Sequence, residues 1–336
     1  VNVVGCALFA AISGSSAATV ATVGKMSIPE LRKRNYPEKL LLGSLAGSGT
    51  LGLLIPPSII LIIYGVTVQE SIAKLFIAGI IPGIMIAIFF MFYVIGWSIL
   101  NKDSMPKTKE TFSFSQKMKD SGQLIPVIVL IAAVIGSIYV GIATATEAAS
   151  LGVVGALILS FFQKSLNKET FKLSLLGATK TSCMIAFILA GSSFLSLAMG
   201  FTGLPRGLAI WIQEMNLSPY VLILVLTIFY IILGMFLDGI SAVVLTMAII
   251  EPMIRQAGFD MIWFGVMMVI VLEMGLISPP VGINVFVVKG IAPDVPMNTI
   301  FRGIWPFWFA MVIMLVLLVS TCRTTTSTIS PNRTVD

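Results

Sequence analysis

Three features mark this chain as an all-α protein that crosses a membrane many times. Of its 336 residues, 57% are hydrophobic and only 11% charged, against roughly 25% charged in an average soluble domain. Its mean hydropathy is +1.02, and its apolar runs reach the ~20 residues that a helix needs to span a ~30 Å hydrocarbon core. The runs are continuous, without the alternation of a membrane β-barrel strand. There is no histidine, so imidazole is missing as base, proton relay or metal ligand. Cys6, Cys183 and Cys322 stand far apart and read as small apolar helix residues. The net charge of +6 sits in the links between apolar runs, where it reports topology and not nucleic-acid binding. Val1 opens inside an apolar helix with no initiator Met or charged signal region, so further membrane segments are expected before it.

Residues 1–12 and 17–28 are each short for a span, and Ser13-Gly14-Ser15-Ser16 separates them. They predict a re-entrant helical hairpin, 1–30, with a polar tip near mid-membrane, where irregular backbone is tolerated only if buried or lining a cavity. The link that follows carries Arg32, Lys33, Arg34 and Lys39, which assigns it to the cytoplasm. Residues 40–65 can span, yet they contain Gly47-Ser48-Gly49-Thr50 and Pro56-Pro57-Ser58. Paired prolines remove two amide donors and clash with the preceding turn, so this helix breaks. The spacing Gly43-x-x-x-Gly47 suits close helix packing. An arm helix over 75–100 completes a first repeat, 1–100.

Residues 101–217 hold connecting membrane segments. A basic loop carries Lys102, Lys107, Lys109, Lys117 and Lys119. Spans over 124–142 and 146–162 turn near Thr144 to Glu147, and a third basic link bears Lys164, Lys168 and Lys172. All three basic links belong on one side. A span over 181–200 leads through Leu204-Pro205-Arg206 to an amphipathic piece, 207–215. Glu147 reads either as part of a helix cap or as a transport group, and Arg206 either as a lipid-headgroup contact or as an entrance residue.

The opening pattern then returns as a second repeat, 218–321. It comprises a hairpin, 220–254, a broken helix, 261–290, and a last helix, 304–320, before a polar tail, 322–336, expected to be disordered. The hairpin tip is Asp238-Gly239-Ile240-Ser241 and the break is Gly275-Leu276-Ile277-Ser278-Pro279-Pro280-Val281-Gly282. The tip glycine precedes the proline pair by 42 residues in the first repeat (Gly14 to Pro56) and by 40 in the second (Gly239 to Pro279). Gly52 falls on Gly275, Ser16 on Ser241 and Thr50 on Glu273. Five crossings separate the two hairpins, and an odd number inverts the second repeat. Inverted repeats with broken helices are the organisation of secondary transporters. A break exposes amides that attract an anion and carbonyls that attract a desolvated cation, and Ser and Asp at the tips add hard oxygen ligands.

At Ala11-Ile12-Ser13-Gly14-Ser15-Ser16-Ala17-Ala18-Thr19, Gly52-Leu53-Leu54-Ile55-Pro56-Pro57-Ser58, Ala145-Thr146-Glu147-Ala148-Ala149 and Gly275 to Gly282, the chain resembles the large membrane subunit of a tripartite ATP-independent periplasmic (TRAP) transporter. The resemblance implies an elevator-type, Na⁺-coupled importer, multi-pass in the bacterial inner membrane. Its partners would be a small membrane subunit (Q), a periplasmic substrate-binding protein (P) and the lipid bilayer. The cargo would be an organic anion of the C4-dicarboxylate or sialic acid type. The family's large subunit has membrane segments before the first hairpin that this sequence does not show.

The inverted repeat assigns the site as follows. Substrate contacts fall to Ser15, Ser16, Pro57, Ser58, Asp238, Ser241 and Asn284. Na⁺ contacts fall to Ser13, Gly14, Ser16, Gly49, Thr50 and Gly52 in the first repeat, and to Asp238, Gly239, Ser241, Gly275 and Ser278 in the second. Asp238, flanked by apolar residues, is either such a ligand or the structural partner of a buried amide or hydroxyl. Glu273 either faces the same cavity or fills a structural ion-pair or interface position. The competing readings are a stand-alone Na⁺/di- or tricarboxylate elevator symporter that needs no binding protein, and an ion channel. An enzyme is not indicated, since no His and no Ser/Lys or paired-Asp constellation stands apart from the repeat.

Overall fold

The structure, a computed structural model, describes residues 1–106, 122, 125–203, 207, 210 and 218–326. Among them there is no strand. The α-helices in chain order are α1 (Asn2–Ser13), α2 (Ser16–Lys33), α3 (Glu38–Gly49), α4 (Leu51–Leu54), α5 (Ile59–Thr67), α6 (Ile72–Leu100), α7 (Ile125–Tyr139), α8 (Ala145–Phe162), α9 (Lys168–Thr202), α10 (Pro219–Gly234), α11 (Gly239–Gln256), α12 (Met261–Ile277), α13 (Ile283–Ile291) and α14 (Met297–Thr326). Among the described residues, six helical segments are long and apolar enough to cross a membrane, one of them the whole of Glu38–Thr67. The helices fall into two compact units, one of residues 1–105 with those from 196 onward, the other of residues 106–195.

The first unit contains both repeats. Gly14, at φ 57°, ends α1 in the left-handed region and returns its amide to the Ala10 carbonyl, a conformation that favours glycine. Ser15 then caps α2 by accepting from the Ala18 amide. Ser16 is already helical, so the turn is tighter than the four-residue tip read from sequence. The first broken helix is interrupted twice, at Thr50 and at residues 55–58. The second runs unbroken to Ile277 and stops once, at residues 278–282. In the second hairpin the turn lies at residues 235–238, one turn earlier than expected, and Gly239, Ile240 and Ser241 belong to α11. The cause is Asp238, whose carboxylate caps α11 through the Ile240 and Ser241 amides.

Helix α12 is apolar almost all round and buried along nearly its whole length, as expected of a helix surrounded by others. Helices α3 and α14 approach closely where Gly43 meets Gly303 and Gly47 meets Phe307. Without a hydrophobic drive between helices in lipid, such small residues permit the backbone approach that packing requires.

Two arginine clasps show the inversion directly. Arg32, at the end of hairpin helix α2, pairs with Glu38 at the start of α3 at 2.8 Å and with Asp294, beyond α13, at 2.9 Å. Arg255, at the end of hairpin helix α11, pairs with Glu251 at 2.9 Å, donates to the Val68 carbonyl at 3.2 Å and stands 3.7 Å from Glu70, beyond α5. Each hairpin is thus tied to the loop that follows the other repeat's broken helix. The ties lie at opposite ends of Glu38–Thr67. Hydrogen bonding from the Arg32 guanidinium first, and from the backbone at Asp294 second, holds the Asp294 carboxyl below the usual carboxylate range.

The second unit pairs α7 with α8. Thr144 and Glu147 form a reciprocal capping box at the start of α8, with the Thr144 amide donating to Glu147 at 2.8 Å. This is the capping role for Glu147. Helix α9 begins at Lys168 and not near 181, so Lys168 and Lys172 belong to its first turns. The outer helix α14 runs from Met297 to Thr326, beyond the 304–320 span. Lys107, Lys109, Lys117, Lys119, Arg206, most of the piece 207–215 and residues 327–336 lie outside the described residues.

Candidate transport site

Four helix N-termini meet in the first unit. Ser16, first residue of α2, and Asn284, in the first turn of α13, exchange two hydrogen bonds of 2.9 and 2.6 Å. The Asn284 amide also donates to the Ala46 carbonyl of α3 at 3.3 Å. Gly14 lies against the start of α5: a Cβ built on it would be 2.9 Å from the Pro57 carbonyl and 3.4 Å from the Ile59 amide. Gly239, first residue of α11, packs on Ile60 and Leu53. The starts of α13, α2, α5 and α11 therefore adjoin in that order. Each start concentrates unpaired amides and about half a positive charge. Together they make a setting for an anion. Ser15, Ser58 and Asp238 cap three of the four, whereas Gly282 leaves α13 without a side-chain cap.

The first tip is a cluster of oxygens. The Ser13 hydroxyl lies 2.8 Å from the Thr19 hydroxyl and donates to the Ser15 carbonyl at 3.2 Å. The Thr19 hydroxyl donates to the same carbonyl at 2.8 Å. Gly52 faces this group, and a Cβ there would sit 2.8 Å from the Ser15 carbonyl and 2.9 Å from the Thr19 hydroxyl. Only glycine lets α4 approach so closely. Three neutral oxygens within hydrogen-bond reach of one another are the hard donor type that a desolvated alkali cation needs.

The second tip is built differently. Asp238 is exposed, and its carboxylate accepts from the Ser241 hydroxyl at 2.5 Å as well as from the two capping amides. Gly275 packs against Gly234 of α10. The Ser278 hydroxyl returns 2.6 Å to the Met274 carbonyl of its own helix, as the Ser58 hydroxyl does to the Leu53 carbonyl across the first break. Both proline pairs have cis peptide bonds.

The profile of the tripartite ATP-independent periplasmic transporter, DctM component, matches residues 1–323 of this chain. The chain belongs to this family. It is 32% identical over 319 residues to the C4-dicarboxylate TRAP transporter large permease protein DctM of Pseudomonas aeruginosa, covering 94% of this chain and 73% of that protein. It is 33% identical over 332 residues to the DctM of Rhodobacter capsulatus, covering 94% and 74%. It is also 32% identical to the isethionate TRAP transporter permease protein DctMQ of Oleidesulfovibrio alaskensis, covering 93% and 49%. The crystal structure of the Alcanivorax borkumensis YdaH transporter has the same fold, at a TM-score of 0.55, 14% identity and coverage of 98% of this chain and 86% of that one. The DctM-family chain is thus a transporter component and not an enzyme, multi-pass in the bacterial inner membrane.

Among the residues assigned from sequence, the structure gathers Ser13, Gly14, Ser15, Ser16, Gly49, Gly52, Pro57 and Asn284 around the first break. Thr50 and Ser58 are buried in the same helix and bond to its own carbonyls. Gly239 adjoins that break through Ile60 and Leu53, while Asp238 and Ser241 bond to one another at the start of α11. Gly275 and Ser278 instead pack on α10 and on α12 itself. Thr19 was not among the assigned residues. The signal for it was its hydroxyl four residues beyond Ser15, which on a helix stands over the tip.

Proposed function

We propose that this DctM-family chain is the carrier of a TRAP system that imports a small organic anion in symport with Na⁺. The observation that supports this most strongly is the meeting of four helix N-termini, one of them uncapped, beside a ring of hydroxyl and carbonyl oxygens. The anion binds among the starts of α13, α2, α5 and α11, with Ser16, Asn284 and Ser58 as nearest polar groups. Na⁺ binds at the first tip between Ser13, Ser15, Thr19 and Gly52. A second Na⁺ binds near Asp238 and Ser241. The cations offset the anion's charge, and the two tips close on the loaded site. The unit carrying the hairpins then moves between faces as an elevator, and coupling requires that neither ion nor anion bind well alone.

Relatives named for C4-dicarboxylate, isethionate and 2,3-diketo-L-gulonate share a small anionic cargo, which favours that class; sialic acid belongs in the same test panel. A small membrane subunit and a periplasmic binding protein that delivers the cargo complete the assembly. The test is uptake of ¹⁴C-labelled succinate, isethionate and N-acetylneuraminate by vesicles containing the chain and its small subunit. The expected result is uptake that needs both an inward Na⁺ gradient and the binding protein. Uptake of free anion without binding protein would establish the stand-alone symporter instead, and uptake indifferent to Na⁺ would overturn the coupling.

A further inference from the structure

Ser44, Ser48 and Gly52 follow one another at four-residue steps along α3 and α4, and positions so spaced share one face of a helix. Thr50 keeps right-handed helical angles between the two, φ −60° and ψ −30°, so the face is continuous. Both ends of it meet hairpin 1–30. At one end the Asn2 carboxamide of α1 donates to the Leu41 carbonyl and to the Ser44 hydroxyl, each at 3.0 Å. At the other, Gly52 stands against the Ser15 carbonyl and the Thr19 hydroxyl of the first tip. Ser48 lies midway. Its neighbours face elsewhere, Gly47 toward Phe307 of α14 and Gly49 toward Val20 of α2, which leaves Ser48 toward α1. The opposite wall carries Asn2, Cys6 and Ala10, also four residues apart and all buried.

Two oxygens along this seam have no hydrogen-bond partner, the Ser48 hydroxyl and the Asn2 carboxamide oxygen. Ser48 is 0% exposed and Asn2 5%. The hydroxyls on either side of Ser48 behave otherwise: Ser44 returns to the Leu41 carbonyl and Thr50 to the Gly47 carbonyl, the usual way a helix satisfies them. A buried oxygen left unpaired is costly. Here two such oxygens lead away from an oxygen cluster, in helical steps of ~6 Å, and they are the hard donors a desolvated cation accepts. Asn2 and Ser44 also line a cavity of about 310 Å³ together with Leu31, Tyr36 and Ser98. It lies beside the basic link of Arg32, Lys33, Arg34 and Lys39, which the charge pattern assigns to the cytoplasm.

We propose that the seam between α1 and α3 is the route by which Na⁺ leaves the first tip for the cytoplasm, with the Ser48 hydroxyl and then the Asn2 carboxamide oxygen as its successive ligands. Opening the seam breaks the two bonds that the Asn2 carboxamide makes to α3, so Asn2 holds the route shut until α1 parts from that helix. The cation's presence at the first tip rests on the carrier reading above; the opening of the seam does not.

The test is Ser48→Cys in the chain carrying Cys6→Ala, Cys183→Ala and Cys322→Ala, assembled with its small subunit in vesicles and treated with a membrane-impermeant methanethiosulfonate. The expected result is reaction from the Arg32 face and none from the opposite face, slowed by Na⁺ alone. Asn2→Cys should react from the same face and faster. Leu42→Cys, equally buried but two positions from Ser44 and so on the far side of α3, should not react. Reaction of Ser48→Cys from both faces or from neither, or equal reaction of Leu42→Cys, would overturn the route. Release of ²²Na⁺ to the Arg32 side should slow about tenfold in Ser48→Val, which lacks one ligand oxygen, and be retained in Ser48→Thr, which has the same shape with the oxygen; equal slowing in both would overturn the ligand role. One-sided reaction that Na⁺ leaves unchanged would support the opening of the seam and count against a cation at the first tip, so the two readings fail separately.

Discussion

The two hairpin tips hold equivalent places in the repeats and differ in chemistry. The first is half-buried to buried, uncharged, and made of hydroxyl and carbonyl oxygens that bond to one another across the turn, Ser13, Ser15 and Thr19. The second carries an exposed carboxylate, Asp238, that spends its oxygens on the amides of its own helix and on the half-buried Ser241. The breaks differ in the same way. The first brings Gly52 onto its tip, whereas Gly275 packs on Gly234 and Ile231 of α10. Repeat symmetry therefore sets the scaffold, and the polar groups laid on it make one tip a closed oxygen cluster and the other a turn whose carboxylate caps its own helix.

The largest effect separating the tips should come from Gly52→Ala. The added carbon meets backbone and a hydroxyl at under 3 Å, so the oxygen cluster must open. Na⁺-driven uptake should fall about a hundredfold, roughly 2.8 kcal/mol, through a raised half-saturation for Na⁺. Next is Asp238. Asp238→Asn keeps an N-cap but removes the charge, and Asp238→Ala removes both. Uptake should fall about tenfold in each, while only the Ala variant should lose the ~1 kcal/mol of a helix cap in thermal unfolding. Equal loss of stability in both would make the carboxylate a structural group alone.

A smaller effect is expected where the repeats join. Asn284→Leu strands the Ser16 hydroxyl and the Ala46 carbonyl, costing about 1–3 kcal/mol for the unpaired buried groups, visible as a lowered melting temperature in lipid nanodiscs. The smallest concerns the Arg32–Asp294 clasp. The Asp294 carboxyl titrates below its unfolded value, so its contribution is present above the unfolded carboxylate range, about pH 4, and is lost as pH falls through the lower folded value. Asp294→Asn should remove the acid sensitivity of that clasp and lower stability slightly at neutral pH, as salt does for exposed pairs.

Much of this architecture was legible in the chain. Paired prolines and polar tips interrupt apolar runs, and such interruptions have local causes that one repeat teaches about the other. Boundaries set by side-chain capping were harder to place. Asp238 pulls Gly239 to Ser241 into α11, and Thr50 adds an interruption that no proline announces. Helix α9 starts at Lys168 because a helix continues through charged turns that an apolar-run reading leaves out. The bonds between Ser16 and Asn284, the place of Thr19, and the crossed arginine clasps join residues distant in sequence, and only packing of the repeats brings them together.

In the carrier reading the first tip is a cation site and not merely a tight turn. Its most direct measurement is the Na⁺ dependence of uptake in vesicles for Thr19→Val, which keeps the size and branching of the side chain and deletes one oxygen. The expected result is a half-saturation for Na⁺ raised about tenfold, ~1.4 kcal/mol, with folding and maximal rate retained. An unchanged half-saturation would contradict it.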